Sequence, residues 1–145
     1  AKLRRLLARP DSEIKLVIID YLQLMNIKEF TASMNERVTI ISRSLKEIAK
    51  EFKVPVIALS QLSRAVEQRE SKKPQLSDLR ESGAIEQDAD MVMFLYREAY
   101  YNKEKVDDNT TDVILAKNRN GPTGEVKLFF EKDCGRFKSF SFEKE

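Results

Sequence analysis

Histidine is absent from these 145 residues, cysteine occurs once, and glycine and proline occur four times each. Without histidine there is no imidazole general base, and the common zinc sites are excluded. With Cys134 alone no internal disulfide can form, which fits a reducing, cytoplasmic setting. The glycines are Gly83, Gly121, Gly124 and Gly135, and none begins the G-x-x-x-x-G-K-[ST] run that cradles phosphates in nucleotide-binding loops. No apolar run approaches the roughly 18 residues that span a bilayer, and no signal-peptide core stands at the N-terminus, so no membrane contact is expected. The net charge is only +2, too small for bulk electrostatics to hold the chain on DNA or an acidic surface. Any nucleic-acid contact must come from local loops.

What is present is a globular composition, with 41% apolar and 34% charged residues. The length suits one domain, able to bury about two-thirds of its unfolded surface. The chain opens inside a basic helix, Lys2 to Ala8, stopped near Pro10. That abrupt start is expected of a fragment of a longer protein. Leu16 to Ile19 reads as a buried strand that delivers Asp20 to a sheet edge. Met25 to Ala32 reads as a loop. Ser33 followed by Glu36 has the form of a capping box and opens a helix. Val38, Ile41, Leu45, Ile48 and Phe52 step along that helix by threes and fours, one core-facing stripe. Val54 to Ser60 is a second buried strand, ending on Ser60 and Gln61. Strand, amphipathic helix and strand form a βαβ unit, so the two strands should run parallel with a right-handed crossover. Polar groups at the carboxyl ends of such strands line a ligand crevice.

Farther on, Ser63 to Pro74 is charged and reads as a mobile surface loop. Ser77 to Asp90 reads as short helical turns around Gly83, Met91 to Tyr96 as a third buried strand, and Arg97 to Asn109 as a polar connection. Thr111 to Lys117 and Glu125 to Glu131 flank Asn120-Gly121-Pro122-Thr123-Gly124 and should pair as a hairpin. A last strand, Phe137 to Phe142, follows a turn from Asp133 to Gly135. No repeat or low-complexity tract is present.

Several polar residues have both a chemical and a plain structural reading. Asp20 can hold Mg²⁺, an ion satisfied by one or two carboxylates plus phosphates and water; it can equally be a turn aspartate. Gln61 can sense a terminal phosphate or orient a water, or merely satisfy loop backbone. Arg80, Glu81 and Gly83 suit a turn that approaches a phosphate, or an ordinary surface turn. Lys117 and Arg119, two residues apart at the hairpin end, suit a phosphate clamp reaching a neighbouring subunit, or a solvated edge with protective cations. Aromatic residues from Tyr96 to Phe142 could stack on bases, but core packing is expected of the phenylalanines.

Four stretches, in this order, resemble the DnaB family of bacterial replicative DNA helicases. They are Val17-Ile18-Ile19-Asp20-Tyr21-Leu22-Gln23-Leu24, Pro55 to Arg64 (PVIALSQLSR), Asp78 to Asp90 (DLRESGAIEQDAD) and Ala116 to Gly124 (AKNRNGPTG). The resemblance covers nearly the whole chain. It implies an α/β fold, part of a RecA-like motor, with parallel central strands, helices on the faces and a C-terminal antiparallel hairpin. Residues 1–145 would be the C-terminal portion of that motor. It also implies ATP and Mg²⁺ as cofactors, and a hexameric ring of identical subunits around single-stranded DNA, with primase and a helicase loader as partners. By the resemblance, Asp20 matches the Walker B aspartate and Gln61 the glutamine linking nucleotide state to the DNA loops. Arg80, Glu81 and Gly83 match a channel loop that grips the DNA backbone. Lys117 and Arg119 match the basic pair that reaches a neighbour's γ-phosphate. The family's phosphate loop and catalytic glutamate lie upstream of the stretches matched here, as does its primase-binding domain.

Two other readings compete with an ATP-driven translocase. One is a non-catalytic nucleic-acid-binding or ring-assembly module that naturally lacks a phosphate loop. The other is a different RecA-like ATPase, such as a recombinase, against which the Arg80-to-Asp90 run argues.

Overall fold

Two parallel strands and one long helix organise the first of two compact units into which the chain divides. That unit is Ala1–Ser63 with Leu79–Ala89; the second is Arg64–Asp78 with Asp90–Glu145. The computed structural model describes residues 2–25, 33–102 and 108–139, and the backbone but not the side chains of 80–82. Most of the expected loop from Met25 to Ala32 lies outside the described residues, as does the end of the last strand beyond Ser139.

In the first unit, helix α1 spans Lys2–Leu7 and buries Leu7. Strand β1 is Val17–Ile19, helix α2 Met34–Phe52 and strand β2 Val56–Ala58. The capping box forms as expected. Ser33 Oγ accepts from the Glu36 backbone N–H at 3.3 Å, and the Glu36 carboxylate accepts from the Ser33 N–H at 2.9 Å. Lys53, in the left-handed region at φ 52°, ends the helix. The stripe on α2 faces inward: Ile41 and Leu45 cluster with Leu22, against which Leu3, Ile19, Val56 and Ile85 pack. Val38 is 1% exposed. Arg4 on α1 reaches Glu47 and Glu51 on α2 at 3.2 and 3.4 Å. Helix α3, Gly83–Asp88, rests on α2 through Ile85 and through Ser42 Oγ, which donates to the Asp88 carboxylate at 2.8 Å.

Strands β1 and β2 are parallel, with Val17 opposite Val56, Ile18 opposite Ile57 and Ile19 opposite Ala58. The expectation that both are buried is corrected. Val17 is buried, but Ile18 is 62% exposed and Ile57 and Leu59 are exposed as well. Only the face toward α2 is covered among the described residues, and cross-strand partners share a face, so the other apolar row faces outward.

The second unit carries a four-stranded antiparallel sheet in sequence order, larger than the hairpin expected. Its strands are β3, Met91–Tyr96; β4, Thr110–Asn118; β5, Gly124–Glu131; and β6, Arg136–Ser139. A short helix α4, Glu98–Tyr101, follows β3. Strand β3 is also less buried than its unbroken apolar run suggests. Val92 and Phe94 are buried, whereas Met91, Met93 and Leu95 are exposed, so the strand alternates. The β4–β5 turn is held by Asn118, whose Nδ2 donates to the Pro122 carbonyl at 3.1 Å while its Oδ1 accepts from the Asn120 N–H. A Cβ at Gly121 would lie 2.9 Å from that Nδ2, so a larger residue there would displace the Asn118 amide that holds the turn. Gly135, at φ +64°, makes the turn into β6.

The charged run after Ser63 is not featureless. It holds a 3₁₀ turn, Arg64–Gln68, with Val66 buried. Arg69 donates to the Asp78 carboxylate at 2.7 Å and to the Lys73 carbonyl at 3.1 Å. Lys73 Nζ reaches the Glu125 carboxylate at 2.7 Å and that of Asp112 at 3.9 Å, and Lys127 approaches Asp112 from the other side at 3.5 Å. Paired charges therefore fix a segment whose composition reads as loop.

Candidate functional site

Asp20 is the first residue beyond β1, and its carboxylate is exposed. The Asp20–Tyr21 peptide is cis, and a 3₁₀ turn, Leu22–Leu24, follows. Backbone pairing continues past the strand ends: Leu59 N–H donates to the Ile19 carbonyl and Leu22 N–H to the Leu59 carbonyl, both at 2.9 Å. Gln61 follows on the β2 side and is exposed. The βαβ unit thus places Asp20 and Gln61 past the carboxyl ends of two adjacent, parallel strands, the geometry of a crevice in an open α/β sheet. Among the described residues no group of three or more acidic or thiol side chains gathers to hold a metal. A lone exposed carboxylate fits Mg²⁺, which takes one or two carboxylates and fills its remaining positions with water and nucleotide phosphates.

Around Gln61 the side chain of Gln23 makes a reciprocal contact. Gln23 Nε2 donates to Ser60 Oγ at 3.0 Å and to the Gln61 carbonyl at 3.4 Å, while Gln23 Oε1 accepts from the Gln61 N–H at 3.3 Å. Ser60 Oγ donates in turn to the Gln61 carbonyl at 3.2 Å. Gln23 lies within the first of the stretches noted above, but nothing in its spacing signals this contact.

Arg80 and Glu81 lie in a 3₁₀ turn, Leu76–Ser82, which passes directly into α3 at Gly83. Their side chains are outside the described residues. Gly83 is exposed, and a Cβ there would meet nothing within 4 Å. The packing of this chain alone does not require glycine at that position.

Lys117 and Arg119 belong to the second unit. Lys117 pairs with Val92 in the β3–β4 ladder, beside a register shift between Val92 and Met93. Arg119 is the first residue past β4. Its N–H donates to the Asp90 carbonyl at 2.8 Å, and its guanidinium Nε lies 3.2 Å from the Asp90 carboxylate. Backbone and side chain are both anchored, and both partners remain about half exposed.

The same unit has an open groove of about 250 Å³ lined by Leu95, Arg97, Tyr100, Tyr101, Phe130 and Phe137, among others. The Arg97 guanidinium lies 5.0 Å from the centre of the Phe130 ring, and the Phe130 and Phe137 rings are 4.8 Å apart. Tyr101 stacks on Tyr96 at 5.9 Å, and burial pushes its hydroxyl above the usual tyrosine range. Of the phenylalanines expected in a core, Phe130 and Phe137 instead wall a groove, with Phe137 44% exposed, and Phe140 and Phe142 lie outside the described residues. Cross-strand pairing of Phe130 with Phe137 brings them together, a relation between strands that residue spacing does not reveal.

A family model described as the DnaB-like helicase C terminal domain matches residues 1–139. Replicative DNA helicase DnaB of Geobacillus stearothermophilus is 53% identical over 138 residues, 94% of this chain and 30% of that protein. Replicative DNA helicase DnaC of Bacillus subtilis is 53% identical over the same shares. The chain therefore spans less than a third of the length of these curated relatives. Among solved structures, one described as an ATPase domain superposes with a TM-score of 0.84 at 49% identity, over 97% of this chain and 48% of that one. A DnaB-like replicative helicase, described together with its interactions with primase, gives 0.85 at 49% identity over 97% of this chain and 33% of its own.

Proposed function

Because the chain belongs to the DnaB-like helicase C terminal domain family, we propose that it works as part of the RecA-like motor of a replicative DNA helicase. In this reading residues 1–145 form the C-terminal portion of the motor, which draws on ATP and Mg²⁺ to move along single-stranded DNA. The observation that carries it is the placement of Asp20 and Gln61 beyond adjacent parallel strands. Asp20 would support the Mg²⁺ of the nucleotide, an ion that neutralises charge on the phosphate oxygens during transfer. Gln61 would pass the state of that nucleotide to the DNA-contacting turn of Arg80, Glu81 and Gly83. Those residues would hold DNA by its phosphates without reading bases. Lys117 and Arg119, fixed at a rigid hairpin end, would reach the terminal phosphate bound to a neighbouring subunit of a hexameric ring. Primase and a helicase loader are the partners this reading implies. The relatives favour it over a non-catalytic ring-assembly module.

The experiment is ATP turnover. The complete helicase should hydrolyse ATP and lose that activity in Asp20→Asn, while the isolated 145-residue chain, with no phosphate-loop motif, should show none. Turnover by the isolated chain that Asp20→Asn abolishes would overturn the reading.

A further inference from the structure

Beyond Leu59 the two parallel strands no longer pair through their backbones, yet the pairing does not stop. A primary amide carries the same donor and acceptor as a peptide group. The Gln23 amide uses both on one residue, its Oε1 taking the Gln61 N–H and its Nε2 giving to the Gln61 carbonyl, with a third bond to Ser60 Oγ. It behaves as a surrogate rung of the ladder, one that starts from the turn immediately after Asp20. That turn is itself fixed by the Leu22-to-Leu59 backbone bond and by Leu22, only 2% exposed in the core cluster. Asp20, whose carboxylate would face the metal, thus stands just ahead of the turn whose amide grips the backbone of Gln61.

We propose that Gln23 is a positioning residue that holds the backbone of Gln61 and ties its placement to the state of the Asp20 turn. This rests on the helicase reading above and deepens it. A shift of the turn when nucleotide binds or leaves would move the Gln23 amide, and Gln61 would follow, because donor and acceptor pull on both sides of the same residue. No other side chain bonds to both the N–H and the carbonyl of Gln61 among the hydrogen bonds described.

The test uses the complete helicase and compares ATP turnover with and without single-stranded DNA in Gln23→Ala, Gln23→Asn and Gln23→Glu. Alanine removes the contact, and asparagine is one methylene too short to span it. In both, stimulation by DNA should fall on the order of tenfold more than turnover without DNA, the size of effect that a coupling residue has. Glutamate keeps the acceptor but as an anion cannot donate to the Gln61 carbonyl. Its stimulation should be poor at about pH 8 and recover relative to Gln23→Ala as the pH falls toward about 4.5, where close to half of an ordinary glutamate carboxyl has regained its proton. A merely structural role would give no such recovery. Stimulation that survives Gln23→Ala, or stimulated and unstimulated turnover that fall together in all three variants, would overturn the inference. If Gln23→Ala or Gln23→Asn fails to assemble, the pH profile of Gln23→Glu decides alone, and a profile parallel to that of the unaltered protein overturns it. Absence of DNA-stimulated turnover in the unaltered protein would overturn the helicase reading, and this inference with it.

Discussion

The two units reach stability by different routes. The first hangs two three-residue strands on a 19-residue helix whose inward stripe, Val38, Ile41, Leu45 and Ile48, is buried. The second has strands of up to nine residues but only Val66, Val92 and Phe94 as buried apolar residues among those described, and pins its segments with Arg69–Asp78, Lys73–Glu125 and Lys127–Asp112. Apolar burial of about 25 cal/mol per Å² and tight packing make the first a fixed frame for strand-end groups. Exposed ion pairs contribute about 0–1 kcal/mol each, so Lys73–Glu125 and Lys127–Asp112 orient segments of this charged platform more than they hold the fold, whereas Arg69 meets a buried Asp78, 7% exposed. The candidate site residues divide accordingly. Asp20 and Gln61 belong to the packed frame, and the cations Lys117 and Arg119 to the charged platform.

The largest effect expected separates function from stability on the platform. Arg119→Ala in the complete helicase should lower ATP turnover on the order of 10³-fold while nucleotide binding is largely kept. The same change should alter stability by less than about 1 kcal/mol, because the Arg119–Asp90 pair is half exposed, at 52% for each side chain. Steady-state hydrolysis, nucleotide binding and thermal unfolding measure the three. Mixing mutant with wild-type subunits locates the action: mutant subunits that depress wild-type turnover only in proportion to their share would show that Arg119 does not act across an interface.

A second pair of substitutions sharpens the contrast in burial. Leu45→Ala, in the cluster with Leu22 and Ile41, should cost about 2–5 kcal/mol, read as lost amide-exchange protection along α2. Val126→Ala on β5 removes a side chain that is mostly exposed, and should stay within about 0.5 kcal/mol. Equal losses at the two positions would break the comparison.

What the sequence made legible follows the same divide. The capping box at Ser33 and Glu36, the stripe on α2 and the parallel pairing of β1 with β2 were all readable, because each rests on local spacing or on one short crossover. The β4–β5 hairpin was readable because Asn120-Gly121 leaves the chain few other turns. Burial of β1 and β3 was not, since an unbroken apolar run gives the same signal whether one face or two are covered. The anchoring of residues 64–78 was hidden because Lys73 meets Glu125 from 52 positions away, and charge-rich composition alone reads as solvated loop. Among the candidate site residues, Asp20 and Gln61 were legible as polar groups closing apolar runs. The Gln23 contact and the Arg97–Phe130 groove depend on side chains that meet only after the strands have paired.

The smallest effect tests whether the platform's ion pairs matter at all, and pH is the lever. The Lys73 ammonium, hydrogen-bonded to the Glu125 carboxylate, holds that carboxyl below the usual glutamate range, and the carboxylate in turn raises Lys73 above the usual lysine value. A lowered carboxyl favours the folded state at pH values above the unfolded glutamate value of about 4.3, and loses that contribution as pH falls through the lower folded value. The raised lysine contributes below about pH 10.4 and loses its contribution as pH rises through its higher folded value. Stability relative to Glu125→Gln should therefore be flat across neutral pH and converge at both acid and alkaline ends. After solvent screening the plateau should be no more than about 0.5 kcal/mol, because Lys73 is 42% and Glu125 34% exposed. NMR titration of the Glu125 carboxyl gives the direct reading. Its midpoint should lie below the ordinary value in the unaltered chain and return to it in Lys73→Met. A midpoint indifferent to Lys73 would mean that the pair carries no energetic weight, and that the segment before Arg80 is held by Arg69 and Asp78 instead.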